Sequence, residues 1–116
     1  MIKIYGIKNC DTVKKALLWL DINNIQYQFC DYKKNGVDAK KLEEFLKNFG
    51  HEILVNRKGT TWRQLDAQEQ AKITNNQTAL KLMLEKPSVI KRPIVDLGSK
   101  QLIGFDVKEY EEVFLG

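Results

Sequence analysis

The length, composition and charge of the chain indicate a small globular protein. It has 116 residues, 43% of them hydrophobic and 29% charged, which is enough apolar material for a core and excludes a disordered chain. Its 19 basic and 15 acidic residues are interleaved, so no basic block indicates a nucleic-acid partner. No apolar run approaches the ~20 residues of a membrane span, and the first residues lack the apolar core of an export signal. We therefore expect a cytoplasmic protein without a membrane partner.

The first thirty residues predict a strand, a helix and a second strand. A short apolar run reaches Tyr5, and Gly6 is expected to end it. From Val13 to Leu20, apolar residues recur with the spacing of one helix face. Apolar and polar residues then alternate over 25–30, as in a strand. Because strand–helix–strand crossovers are right-handed, the two strands should be parallel.

The middle of the chain predicts helices, and its end predicts a hairpin followed by a helix. Apolar residues recur at helical spacing over about 38–88, where Thr74 with Gln77 has the spacing of a capping box. After Pro93, two short apolar runs flank a Gly-Ser turn, which is typical of an antiparallel hairpin. Asp106 begins a final amphipathic segment.

This order of elements predicts the fold class. A βαβ unit followed by a ββα unit indicates an α/β protein. We expect a thioredoxin-like fold, with a four-stranded mixed sheet and a helical insertion between the two units. No repeat or linker divides the chain, so we expect a single domain of residues 1–116 with the insertion at about 38–88.

Cys10, in the segment IKNCDTVKK, is the leading candidate for a reactive side chain. It lies between the predicted strand and helix, at the sheet edge where α/β proteins bind ligands. The first N–H groups of a helix and its dipole stabilise a thiolate, so the pKa of Cys10 should lie below the ~8.5 of an ordinary thiol. The alternative is that Cys10 packs as a small apolar group.

The second thiol, Cys30, has two interpretations. A permanent disulfide is not expected in a reducing compartment, so Cys30 is either a packed strand residue or a remote resolving thiol for Cys10. Two cysteines and one histidine are too few for a closed zinc site, so no metal is expected.

Basic residues in two separate segments could bind an anionic substrate. Arg57, Lys58 and Arg63 lie in NRKGTTWRQL, and Arg92 directly precedes Pro93. Arginine offers a fork of donors that matches carboxylates and oxyanions. Each of these residues could instead be an ordinary solvated surface cation.

Three segments of the chain resemble the ArsC/Spx family, above all its YffB-like subgroup. They are YGIKNCDTVKKALLWL, NRKGTTWRQL and KRPIV, and the likeness covers nearly the whole chain. The resemblance implies a thioredoxin-like fold in which Cys10 is the reactive thiol and Pro93 follows a cis bond. It also implies that Arg92 lies beside Cys10, with Arg57 as a further candidate.

Two departures from the family patterns narrow the expected function. Spx-type regulators carry a C-x-x-C pair, whereas Val13 stands at the second cysteine position here. Arsenate reductases of the family use three arginines. Two of these align with Arg57 and Arg92, but Gly104 lies near the place of the third. The resemblance therefore favours a monothiol reductase over an arsenate reductase.

We expect a thiol-dependent oxidoreductase in which the Cys10 thiolate attacks the substrate and an external thiol resolves the intermediate. Glutathione is the expected co-substrate, with no tightly bound cofactor and no metal. The alternatives are an arsenate reductase proper and a non-catalytic, Spx-like regulator that binds RNA polymerase. Glutaredoxin and protein disulfides are further candidate partners of a protein expected to be monomeric. The residues expected to bind glutathione or substrate are Asn9, Arg57, Lys58, Arg63, Arg92 and Pro93.

Overall fold

A computed structural model describes residues 2–116 and divides them into two compact units. The sheet unit extends to Asp31 and resumes over Arg92–Gly116, and the helical unit is Tyr32–Lys91. The predicted insertion, about 38–88, falls inside the helical unit. The grouping of residues 1–116 as one domain stays a prediction.

The described chain contains short strands and helices in the predicted order. Within residues 2–116, no helix combines the length and apolar character needed to cross a bilayer. In chain order the elements are β1 (Lys3–Gly6), α1 (Asp11–Ile22), β2 (Gln28–Asp31), α2 (Tyr32–Asn35), α3 (Ala39–Phe49), α4 (His51–Leu54), α5 (Thr60–Arg63), α6 (Ala67–Ala71), α7 (Asn76–Glu85), a 3₁₀ turn (Pro87–Val89), β3 (Ile94–Asp96), β4 (Gln101–Ile103) and α8 (Val107–Phe114).

The four strands form one mixed sheet in the order β2-β1-β3-β4. β1 pairs in parallel with β2, and Ile4 lies opposite Phe29. β3 is antiparallel to both β1 and β4, so that Val95 lies between Ile4 and Leu102. The helix α1 connects the parallel pair, and α8 follows the antiparallel pair. This is the predicted thioredoxin-like arrangement, with the helical segment between its βαβ and ββα parts.

The core of the sheet unit lies where α1 and α8 cover the sheet. Ala16 and Leu20 are four residues apart on α1 and therefore share one face. They pack with inward-facing strand residues and with Tyr110 of α8. Trp19 meets the Tyr110 ring edge-on, with 5.6 Å between the ring centroids. The complete set of buried residues in this cluster is Ile4, Ala16, Leu20, Val95, Leu102 and Tyr110.

In the helical unit, α3 packs against α7 and α4. The side chain of Asn76, the first residue of α7, forms hydrogen bonds with both of the other helices. Its side chain accepts a hydrogen bond from the His51 N–H (3.1 Å) and donates one to the Leu46 carbonyl (3.3 Å).

The start of α7 corrects a sequence prediction by one residue. Asn75, not Thr74, is the N-cap: its side chain accepts from the Thr78 N–H at 2.9 Å. The Thr78 hydroxyl accepts in return from the Asn75 N–H at 3.2 Å. The predicted box of Thr74 with Gln77 was wrong because a threonine hydroxyl can take the reciprocal position usually held by Glu or Gln.

Candidate active site

Cys10 occupies the N-cap of α1, between β1 and the helix, as the spacing predicts. Its backbone is extended (φ −97°, ψ 126°), and its carbonyl accepts the first helical hydrogen bond, from Lys14, at 2.9 Å. A hydrogen bond from its own N–H to the Ile7 carbonyl (3.2 Å) closes the preceding turn. Asn9 lies in that turn and is exposed. Its predicted contact with glutathione stays a prediction.

The environment of the Cys10 sulfur favours the thiolate. Burial raises the pKa of the thiol. Hydrogen bonding from the Val13 N–H, the Arg92 guanidinium and the Thr12 N–H, together with the charge of Arg92, more than offsets burial and holds the pKa below its ordinary value. The neutral thiol makes no N-cap hydrogen bond, because sulfur is a weak acceptor until it is ionised. The Val13 and Thr12 N–H groups therefore act on the thiolate form.

Arg92 and Pro93 belong to KRPIV, the third segment of the resemblance, and Arg92 lies beside Cys10. The Arg92–Pro93 peptide bond is cis, and the Arg92 guanidinium is a hydrogen-bond donor to the Cys10 sulfur. Pro93 is buried, and its carbonyl accepts from the Gly104 N–H at 2.8 Å. The Gly104 carbonyl in turn accepts from the Tyr110 hydroxyl, also at 2.8 Å. A chain of hydrogen bonds thus connects α8 with the loop that presents Arg92.

The other predicted basic residues lie in the helical unit and are exposed. The Arg57 guanidinium stacks on Trp62, with 4.7 Å from its carbon to the ring centroid, and one of its nitrogens lies 3.4 Å from His51 Nδ1. Arg63 donates through its guanidinium to the Lys58 carbonyl. Arg57 is therefore held by an aromatic ring, whereas Arg63 stabilises its own loop. Binding of glutathione by Arg57, Lys58 and Arg63 stays a prediction.

Cys30 has the opposite electrostatic environment. It lies in β2 opposite Tyr5 and is half-buried. Burial raises the pKa of its thiol, and the charge of Lys3 offsets only part of that effect. Neither cysteine is in a disulfide. The environment of Cys30 therefore disfavours the thiolate relative to an ordinary cysteine, whereas that of Cys10 favours it.

The sequence predicted the class of donors around Cys10 but not all of the residues that position them. Unpaired N–H groups at a helix start are a general expectation. The hydrogen bonds from Tyr110 to Gly104 and from Gly104 to Pro93 carry no local sequence signal. They arise because the sheet brings separate segments together.

The opposite pKa shifts predict opposite effects of the two thiols on stability. The pKa of Cys10 is lowered on folding, so its contribution to the free energy of unfolding is fully present above about 8.5 and is lost as the pH falls through the folded value. The pKa of Cys30 is raised, so its contribution is present below about 8.5 and is lost as the pH rises through the folded value.

Urea denaturation at a series of pH values should reveal this difference. The stability advantage of the wild type over Cys10→Ser should grow with pH up to about 8.5, with a slope below about 1.4 kcal/mol per pH unit, the limit for one proton. The advantage over Cys30→Ser, the matched control, should decline above that pH. Parallel pH profiles for the two variants would contradict the assignment.

Comparison with known proteins gives the family. An uncharacterized protein of Haemophilus influenzae is 48% identical and is matched over 98% of this chain and 99% of its own length. A solved structure of a YFFB protein is 42% identical, covers 97% of each chain and has a TM-score of 0.92. An arsenate reductase (ArsC) related protein from Brucella melitensis is 46% identical, covers 97% of this chain and 93% of its own, and has a TM-score of 0.77. The sequence model of the ArsC family matches residues 5–113, and the chain therefore belongs to the ArsC family.

Proposed function

We propose that this protein is a glutathione-dependent monothiol reductase whose nucleophile is Cys10. The observation that supports the proposal is the set of donors around the Cys10 sulfur: two helix N–H groups and the Arg92 guanidinium. The thiolate, not the thiol, attacks disulfides. A lowered pKa therefore increases the reactive fraction at neutral pH.

In the proposed reaction, Cys10 and glutathione act in turn on a mixed disulfide of glutathione with a substrate thiol, R–S–S–G. The Cys10 thiolate attacks the glutathione sulfur, so that the S–S bond of R–S–S–G breaks, Cys10–S–S–G forms, and RS⁻ leaves and takes a proton. A second glutathione thiolate then attacks Cys10–S–S–G and releases Cys10 as a thiolate with one molecule of oxidised glutathione. The net reaction is R–S–S–G + GSH → RSH + GSSG. Val13, which is buried at the place of the second cysteine in a C-x-x-C motif, supplies no competing thiol.

Binding of glutathione would use its two carboxylates. A guanidinium pairs with a carboxylate through two parallel hydrogen bonds, which makes Arg92 the first candidate and Arg57 the second. Arg57 is exposed yet held against Trp62, so less side-chain entropy is lost when it binds an anion. The cytoplasm, where glutathione is abundant, is the proposed location.

The test is a coupled assay in which reduction of a glutathione mixed disulfide by glutathione is followed as oxidised glutathione forms. Cys10→Ser should abolish turnover, since a serine hydroxyl is not ionised at neutral pH. Cys30→Ser should retain most of it, and mass spectrometry of the wild type should detect glutathione attached to Cys10. Equal turnover by the wild type and Cys10→Ser would overturn the proposal.

The same preparations distinguish the two alternative functions. Robust arsenate reduction with glutathione and glutaredoxin, absent in Cys10→Ser, would identify an arsenate reductase that works without an arginine at Gly104. Full biological activity of Cys10→Ser in cells would instead favour a regulator that acts by binding a partner.

A further inference from the structure

We propose that Gly6 is a positioning residue for the Cys10 thiolate, which it supports by making room for the side chain of Val13. Gly6 is the last residue of β1, and Val13 lies in the first turn of α1. A Cβ on residue 6 would lie 2.9 Å from Val13 Cγ2 and 3.5 Å from Cγ1. Carbon atoms pack best at about 3.5–4.0 Å. The Val13 side chain can therefore occupy its position only because glycine has no side chain at residue 6.

The surroundings leave Val13 little freedom to move aside. Its side chain is completely buried, and valine strongly prefers one χ1 rotamer in a helix. On another side, the same Cβ would lie 3.7 Å from Phe29 Cε1, an ordinary contact. Residue 6 itself cannot shift far, because it pairs with Asp31 in the sheet. An added methyl group would therefore push on Val13 and on the first turn of α1.

A displacement of Val13 would be transmitted through the backbone of α1 to the donors around Cys10. Cys10 is the N-cap of α1 and Val13 lies in the first turn of that helix, and the Val13 N–H is one of the donors that lower the pKa of Cys10. The side chain next to Gly6 and the N–H that acts on Cys10 both belong to Val13. A displacement of the Val13 side chain would therefore also move this N–H relative to the Cys10 sulfur.

Glycine is required here for space rather than for backbone conformation. Gly36, Gly50, Gly98 and Gly104 have positive φ angles, but Gly6 does not. The first strand ends at Gly6, as the sequence predicts, and Gly6 itself pairs with Asp31. An alanine at this position would thus meet a steric contact with Val13 and no dihedral strain.

The test is a double-mutant cycle read out on the thiol itself. The alkylation rate of Cys10 is measured against pH by mass spectrometry of the Cys10 peptide for the wild type, Gly6→Ala, Val13→Ala and Gly6→Ala/Val13→Ala. Gly6→Ala should move the midpoint to higher pH and slow alkylation below the midpoint by about threefold or more, because the rate follows the thiolate fraction. In the Val13→Ala background, where the obstructing methyl groups are gone, Gly6→Ala should have little further effect. Leu42→Ala, a core substitution in the helical unit, controls for general destabilisation and should leave the profile unchanged.

The outcomes separate positioning from a purely structural role. A Gly6→Ala profile identical to that of the wild type would overturn the proposal, even if the variant is less stable. So would a shift that persists undiminished in the Val13→Ala background. If Gly6→Ala alone does not fold, the double variant must fold with a Cys10 profile like that of Val13→Ala, and its failure to do so would also overturn the proposal. The inference rests on Cys10 as the reactive thiol, but the readout needs no turnover, so failure of the proposed reductase activity would be seen separately.

Discussion

Replacement of Arg92 with alanine is expected to slow alkylation of Cys10 about tenfold at neutral pH and to reduce disulfide exchange similarly. The guanidinium acts on Cys10 in two ways, as a hydrogen-bond donor and as a nearby positive charge, and both favour the ionised sulfur. Without the guanidinium, only the Val13 and Thr12 N–H groups oppose the rise in the Cys10 pKa that burial causes. The pH profile of alkylation should therefore move to higher pH.

Two further variants identify which property of Arg92 matters. Arg92→Lys keeps the charge but loses the planar fork, so its alkylation rate should lie between those of the wild type and Arg92→Ala. Lys100→Ala removes one positive charge from the exposed hairpin turn of the same unit and should leave the profile unchanged. If Arg92→Ala and Lys100→Ala have the same profile as the wild type, Arg92 does not stabilise the thiolate.

The second large effect is expected at Tyr110, where alanine should lower the free energy of unfolding by about 3–5 kcal/mol. Tyr110 is completely buried, and its ring packs edge-on against Trp19, Phe105 and Phe114, with centroid distances of 5.6, 4.9 and 5.7 Å. Its removal would leave a large cavity between α8 and the sheet.

The variant Tyr110→Phe distinguishes the contribution of the ring to stability from that of the hydroxyl. It retains the aromatic packing and loses only the 2.8 Å hydrogen bond to the Gly104 carbonyl, so it should cost about 1 kcal/mol. Burial and the charge of Glu109 raise the pKa of Tyr110, so the hydroxyl remains a donor and this cost should not vary over neutral pH. Urea denaturation of the three proteins measures both differences. Equal losses for the alanine and phenylalanine variants would show that ring packing is not the main contribution.

Local patterns predicted most of the secondary structure because helix faces and strand alternation depend on residues close in sequence. The apolar spacing from Val13 to Leu20 matches α1, and the hairpin after Pro93 matches β3 and β4. Boundaries were less accurate. The second strand begins at Gln28 rather than at residue 25, and α7 is capped by Asn75 rather than Thr74. Several polar residues near a helix start can act as its cap, and only the folded backbone selects one.

The sequence by itself determined that Cys10 would stand at a helix start, because strand, cysteine and helix are adjacent in the chain. Only the tertiary structure decided which distant residues reach the sulfur. Arg92 lies far along the chain and contacts Cys10 because β3 pairs with β1, which brings the start of β3 to the end of β1. The contact of Gly6 with Val13 likewise depends on how α1 packs on the sheet. Periodicity reports which face of an element is buried, whereas contacts between elements depend on strand register and packing, which no local pattern encodes.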